Sequence, residues 1–286
     1  MKSEQLGTGL IFFSAVGFGT LGIFGKLGAS AGLSTTTMLV FRFIVATVAI
    51  WSYLLATGSL RLLRGRNLLA GLGLGALGYA TMSGLYFLGL EFMSAGLVAI
   101  VLYTYPAFVV LLSVAFLGER VTRKTVLALG VALGGVALIT GANPANADPV
   151  GVGILLFAAL VYATYITASR ATLTAVDSSI LTAHVMPAAG ASLAVLGMLQ
   201  GTLSVPAGAT EWALIVGLGL VATAMPIFTF FAGLSRIEAS RASIVSTVEP
   251  VFTVVLGALV LDEVVTFSTM VGGAVVLSGV ILIQRG

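Results

Sequence analysis

Cysteine is absent from this 286-residue chain, histidine occurs once, and charged residues make up 8% of it. The lack of cysteine excludes disulfides, thiolate nucleophiles and the common zinc frameworks. A single histidine leaves no imidazole cluster for a transition metal, so no metal and no other cofactor is expected. A soluble domain carries about 25% charged residues. A chain with 8% charged and 59% hydrophobic residues falls far outside that class and belongs in a lipid bilayer. A hydrocarbon core of about 30 Å takes about 20 apolar residues per helix, which leaves room for roughly ten spans and no sizeable soluble domain. The net charge of +3 does not point to nucleic acid, because the basic residues stand singly or in threes between apolar runs. That pattern signals topology.

Hydrophobic runs bounded by Gly, Pro or charge predict ten transmembrane helices at 7–25, 35–56, 68–89, 95–117, 125–140, 150–169, 179–199, 209–233, 242–261 and 268–284. Lys2, Arg61, Arg64, Arg66, Arg120, Arg123, Lys124, Arg170, Arg236, Arg241 and Arg285 then share one side, with Lys26 alone on the other. The Lys/Arg bias makes that side, and both termini, cytoplasmic. Lys2 ahead of an apolar stretch resembles a signal peptide, but the first run has a counterpart later in the chain and is read as a span.

The sequence repeats at an offset of 144 residues, which superimposes Pro106 on Pro250 and Glu119 on Glu263. Between 89–140 and 233–284 roughly twenty of about fifty positions are identical, with no gap, including Phe108 with Phe252, Thr122 with Thr266 and Gly135 with Gly279. Thr20 with Thr164, Lys26 with Arg170, and Gly73 with Gly217 extend the register to the first and third spans. The expected organisation is an all-α membrane protein of two five-helix repeats, 1–142 and 143–286. Five crossings is an odd number, so the second copy enters the membrane from the opposite face and the repeats are inverted. Such halves can exchange conformations about a midplane site, the architecture of alternating access.

The residues Glu249-Pro250-Val251-Phe252 and Leu261-Asp262-Glu263, their partners Tyr105-Pro106-Ala107-Phe108 and Leu117-Gly118-Glu119-Arg120, and Arg42 resemble the drug/metabolite transporter superfamily, in its ten-span EamA branch. Where that branch commonly has Gly-Glu after the ninth span, this chain has Asp262-Glu263. The resemblance covers the whole chain and implies a transporter, in a bacterial inner membrane, of one of several small-molecule classes.

Among the ionisable residues Arg42, His184 and Glu249 lie well inside spans, and each costs about 2.5 kcal/mol or more unless paired or hydrated. Glu249 is expected to approach the midplane, as a proton carrier or as the anchor of a substrate ammonium. Arg42 can clamp a carboxylate or pair with Glu91 or Glu249; snorkelling to the interface is the alternative. His184 reads first as a hydrogen-bonded structural residue and second as a proton relay. Pro106 and Pro250 remove backbone donors and predict kinks at matched points, with Pro187 and Pro226 bending the seventh and eighth spans without partners. Hydroxyls and aromatics gather near mid-span: Tyr79, Ser83, Tyr103, Tyr105, Tyr162 and Tyr165, with Thr20, Thr164, Thr223, Ser246 and Thr247. Tyr79, Ser83 and Tyr86 follow i, i+4, i+7 spacing and share a face. Ordinary interhelical packing explains several of these. Gly71 with Gly75, Gly130 with Gly134, and Ala274 with Ser278 are small-residue packing pairs. Glu119 and Glu263 are expected to cap the fifth and tenth helices beside Thr122 and Thr266.

A doubly anionic cargo needs several converging cations, and the spans offer Arg42 alone. A zwitterion needs one cation and one anion, and Tyr- and Phe-lined walls suit an apolar side chain. The expected substrate is therefore an apolar or aromatic amino acid, which within the branch resembles the YddG-like aromatic amino acid exporters. A multidrug or other metabolite exporter of the same superfamily is the alternative, then a passive channel. An intramembrane enzyme lacks its groups, since no Gly-x-Ser-Gly and no intramembrane Asp occurs. No catalytic residue is assigned. The expected partners are the substrate and the bilayer; the sequence does not bear on oligomeric state, and a monomer suffices.

Overall fold

The computed structural model describes residues 2–93, 95–141, 147–262 and 264–284. The boundary expected between 142 and 143 lies outside these residues, as do Glu263 and Arg285. Ten helices are long and apolar enough to cross a membrane, and no strand occurs among the described residues. They are α1 (Lys2–Ser30), α2 (Thr35–Ala56), α3 (Gly65–Gly89), α4 (segments Ala95–Leu102 and Tyr105–Leu117), α5 (Arg123–Thr140), α6 (Pro149–Thr172), α7 (Ser178–Leu199), α8 (Ala209–Leu234), α9 (segments Ala239–Ser246 and Glu249–Leu261) and α10 (Phe267–Gln284). All ten expected spans are present.

Local chemistry sets the starts. Ser34, Thr122, Asp148 and Asp177 each accept a backbone N–H of the following helix, and Pro149 occupies the first turn of α6, where a missing donor costs nothing. After α4 and α9 the chain turns through the left-handed region at offset-equivalent positions, Gly118 (φ 68°) and Asp262 (φ 53°).

α5 and α10 form the closest helix pair. A Cβ on Gly135 would come within 2.6 Å of the Val276 backbone nitrogen, one on Gly272 within 2.8 Å of the Gly135 carbonyl, and one on Gly279 within 3.0 Å of the Ala128 carbonyl. The pairing Gly135 with Gly272 becomes Gly279 with Ala128 when the repeats are exchanged, and the two helices run antiparallel. The repeats are therefore inverted about an axis across this seam. The contact rows are Ala128–Ala132–Gly135 and Gly272–Val276–Gly279. Gly130 and Gly134 face open space, and Ala274 and Ser278 are exposed, so these two expected pairs are not the packing face. Gly71 and Gly75 do lie against α7, where Gly71 would meet the His184 Cβ at 3.2 Å. α7 has the largest buried share of any span among the described residues and packs on α2, α3 and α8.

Three irregularities interrupt the helices at mid-depth. α4 and α9 are broken at Tyr103–Thr104 and Thr247–Val248. Pro106 and Pro250 sit in the first turn of the segments that follow, so each proline starts a new helix where a kinked continuous helix was expected. α3 and α8 carry π-helical segments at nearly matched positions, Leu74–Tyr79 and Leu220–Ala224, and Thr223 Oγ1 donates 2.8 Å to the Leu218 carbonyl across the wider turn. α1 breaks at Thr20, whose hydroxyl donates to the Gly17 carbonyl. Its counterpart Thr164 lies in unbroken helix and is exposed. Pro187 lies inside continuous α7, and Pro226 follows the π segment of α8.

Candidate functional site

The breaks in α4 and α9 and the π segments of α3 and α8 lie at matching depths, and the polar aromatic residues gather there. Tyr103 and Tyr105 flank the break in α4, and Tyr162 and Tyr165 present successive turns of α6. Their rings touch in series: Tyr103 to Tyr105 at 6.1 Å, Tyr105 to Tyr162 at 4.6 Å, Tyr162 to Tyr165 at 6.0 Å, and Tyr165 to Tyr79 at 5.6 Å. Tyr79, at the end of the π segment, meets Phe43 at 5.4 Å, and the Arg42 guanidinium stands 4.8 Å over the Phe43 ring. At the other end of the series Tyr103 stands close enough to Glu249 for the two side chains to interact. One continuous row of aromatic rings thus runs from Glu249 to Arg42 and joins α9, α4, α6, α3 and α2.

Arg42 is 3% exposed, with Tyr79 as its polar partner and no ion pair to Glu91 or Glu249. It neither snorkels nor pairs with a carboxylate. Its Nε is buried without a hydrogen-bond partner, which leaves donor capacity unused. The site brings α8 close as well, since a Cβ on Gly219 would lie 3.0 Å from the Arg42 carbonyl. Glu249 lies ten residues into α9, about 15 Å from its start, because the helix begins at Ala239 and not at the expected 242. It is half-buried despite that depth, as are Tyr103 and Tyr162. Ser83 is buried one turn from Tyr79 on the same face of α3, and Tyr86 beyond it is half-buried. Phe43 and Phe231, which packs 6.0 Å from Tyr165, also belong to the aromatic lining. Phenylalanine in an apolar span gives no signal separating it from ordinary packing, so the sequence does not single them out.

His184 stands apart from this row. Its Nε2 accepts from the Leu63 N–H at 3.2 Å, and its Nδ1 lies 2.8 Å from the Ile180 carbonyl, the neutral tautomer with both nitrogens occupied. Trp51 donates to the neighbouring Ala183 carbonyl at 2.8 Å. Among the described residues, no three of His, Asp and Glu come together as a metal-binding group.

The two ends of the bundle differ. Glu4 and Gln284 line one recess with Arg120, Arg123, Lys124, Arg170, Arg236 and Arg241, so the first and last described helices and six basic residues share one end, called here the basic end. Residues 242–248 of α9, which run from that end to the site, are all buried. Of their repeat equivalents 98–104 on α4, which run from the opposite end to the site, all but Val98 are partly exposed. The half of α9 that leads from the basic end to the site is therefore more deeply buried than the matching half of α4 at the other end. Glu119 does not cap α5, where Thr122 and Thr125 form the capping box. It reaches across to the start of α9.

A family model described as the EamA-like transporter family matches residues 5–141 and again 149–285. A protein of Archaeoglobus fulgidus named "Uncharacterized transporter" is 27% identical over 99% of this chain and 98% of its own length. A protein of Streptantibioticus cattleyicolor named "Probable terminal-alkyne amino-acid exporter" is 30% identical over 89% of this chain and 84% of its own. A solved crystal structure superposes with a TM-score of 0.84 at 20% identity, covering 98% of this chain and 96% of that one, a likeness of fold. With two tandem matches that fill nearly its whole length and ten membrane-spanning helices to fit them, the chain belongs to the EamA-like transporter family.

Proposed function

We propose that the protein is an alternating-access exporter of apolar or aromatic amino acids, with its basic end in the cytoplasm and its site between the repeats at the aromatic row. The observation that carries this reading is the placement of Arg42 and Glu249 at opposite ends of one series of rings. A zwitterion presents one carboxylate and one ammonium. The unpartnered Arg42 Nε takes the first, Glu249 takes the second, and the ring faces take an apolar side chain. The exporter name of the Streptantibioticus relative agrees with this class.

A multidrug reading has one observation in its favour. A carboxylate among tyrosines also suits a lipophilic cation, for which Arg42 is a liability. Proteoliposomes preloaded with Phe, Leu, Asp or an aromatic quaternary ammonium separate the two. Saturable exchange of Phe and Leu is expected, with Arg42→Ala weakening apparent affinity about tenfold or more through loss of a charge-assisted hydrogen bond. Transport of the quaternary ammonium alone, improved by Arg42→Ala, gives the multidrug reading instead. We assign proton coupling to Glu249 and not to His184, whose nitrogens are both occupied. Glu249→Gln is expected to abolish the response of flux to an imposed pH gradient, and His184→Gln to leave it.

A further inference from the structure

α9 begins against a carboxylate supplied by the other repeat. Glu119, in the turn between α4 and α5, accepts from the Ala239 N–H at 2.7 Å, the Ser240 N–H at 3.1 Å and the Ser240 hydroxyl at 2.5 Å. The Ser240 hydroxyl oxygen lies 2.6 Å from that of Ser113 on α4. The first N–H groups of a helix have no partner within it and form the positive end of its dipole, so a carboxylate there makes strong, charge-assisted bonds. These bonds tie the end of α4 to the start of α9 where residues 242–248 are buried. At the repeat offset Ser113 and Ser240 correspond to Gly257 and Gly96, so the hydroxyl pair has no equivalent at the opposite end.

We propose that Glu119 is a gate-determining residue: its grip on the first turn of α9, reinforced by Ser113 and Ser240, holds the basic end of the pathway shut, and its release is the step that opens that end. The proposal rests on the alternating-access reading but not on the identity of the substrate. For substrate to reach Glu249 from the basic end, the first segment of α9 must part from the second segment of α4. That parting breaks all three bonds to Glu119 together with the serine pair.

The absence of native cysteine allows single reporters without background. Ile244→Cys reports the basic half of the pathway, and Ile100→Cys, at the repeat-equivalent position, reports the opposite half. Each is introduced into wild type, Glu119→Gln and Glu119→Asp, and purified protein is labelled with a water-soluble maleimide while its thermal midpoint is recorded. Glutamine retains one acceptor oxygen and loses the charge. Glu119→Gln is expected to label about tenfold faster at 244, a loss of about 1.4 kcal/mol from the closed state, and more slowly at 100; Glu119→Asp falls between. Ser240→Ala replaces Glu119→Gln if that variant does not fold, with the same expected signs. A wedge, Ala242→Trp, opens the basic end without touching Glu119. Reciprocal changes in the wedge variant but none in Glu119→Gln overturn the proposal and leave alternating access standing. Faster labelling at both reporters in Glu119→Gln means local loosening and also overturns it. Reciprocal change in neither variant removes the alternating-access reading and the proposal with it.

Discussion

Two acidic residues outside the spans show how single side chains set local stability. Asp262 holds φ at 53°, where its repeat equivalent is Gly118. An L-residue pays a steric cost in this region that glycine does not, although aspartate tolerates it better than most. Asp262→Gly is expected to raise stability by up to about 1 kcal/mol, read as a higher thermal midpoint in detergent. The departure from Gly-Glu seen in the sequence is thus a conformational substitution in a turn. Asp177 caps α7 by accepting from the Ser179 N–H at 2.8 Å and the Ser179 hydroxyl. That hydroxyl bond, ahead of a smaller opposing effect of burial, lowers its pKa. The carboxylate's contribution is fully present above the ordinary Asp value and is lost as the pH falls through the lowered one. Asp177→Ala is expected to cost about 1 kcal/mol at neutral pH, with a smaller difference at pH 3; equal differences in melts at both pH values count against it. Arg42 and Glu249 stand out in the sequence because a charge inside an apolar run has few explanations. The role of Glu119 does not, because its partner Ala239 lies 120 residues away and no local pattern marks it.

At the level of elements the spans were legible from the apolar runs, but the caps Ser34, Asp148 and Asp177 were not singled out and the packing faces were not legible. The spacing of Gly130 and Gly134 satisfies the small-residue rule as well as that of Ala128, Ala132 and Gly135. A rule about spacing finds that small rows exist without saying which one meets a neighbour. The structure turns this into a paired prediction. A Cβ at 135 would sit 2.6 Å from the Val276 nitrogen, so Gly135→Ala is expected to cost about 1–3 kcal/mol by overpacking against backbone. Gly134→Ala meets open space and is expected to be neutral or to stabilise by up to about 1 kcal/mol. Thermal midpoints of the two variants decide; equal losses would place the seam elsewhere. The prolines were legible as disruptions, but whether a proline bends a helix or begins a new one depends on the turn before it. The π segments left no trace in the hydrophobic pattern.

For the whole molecule, composition and the repeat carried most of the fold: ten spans and two inverted halves follow from 8% charge and one offset. The direction of the bundle is a prediction of the basic end, tested by labelling intact cells. Ser59→Cys, in the exposed turn between α2 and α3, is expected to react with an impermeant maleimide only after permeabilisation, and Thr210→Cys at the opposite end without it. The reverse pattern inverts the orientation and with it the direction of export.

The antiparallel seam of α5 and α10 maps onto itself when the halves trade roles, so whatever energy it supplies is the same in both end states and cancels from their difference. A chain whose two repeats were identical would spend equal time open to each side. Any preference for one side is therefore written where the repeats disagree, and among those positions Ser113 against Gly257, Ser240 against Gly96, Glu249 against Tyr105 and Arg42 against Met186 lie at the site and at the Glu119 contact. The seam itself, shared by both states, cannot set the resting side.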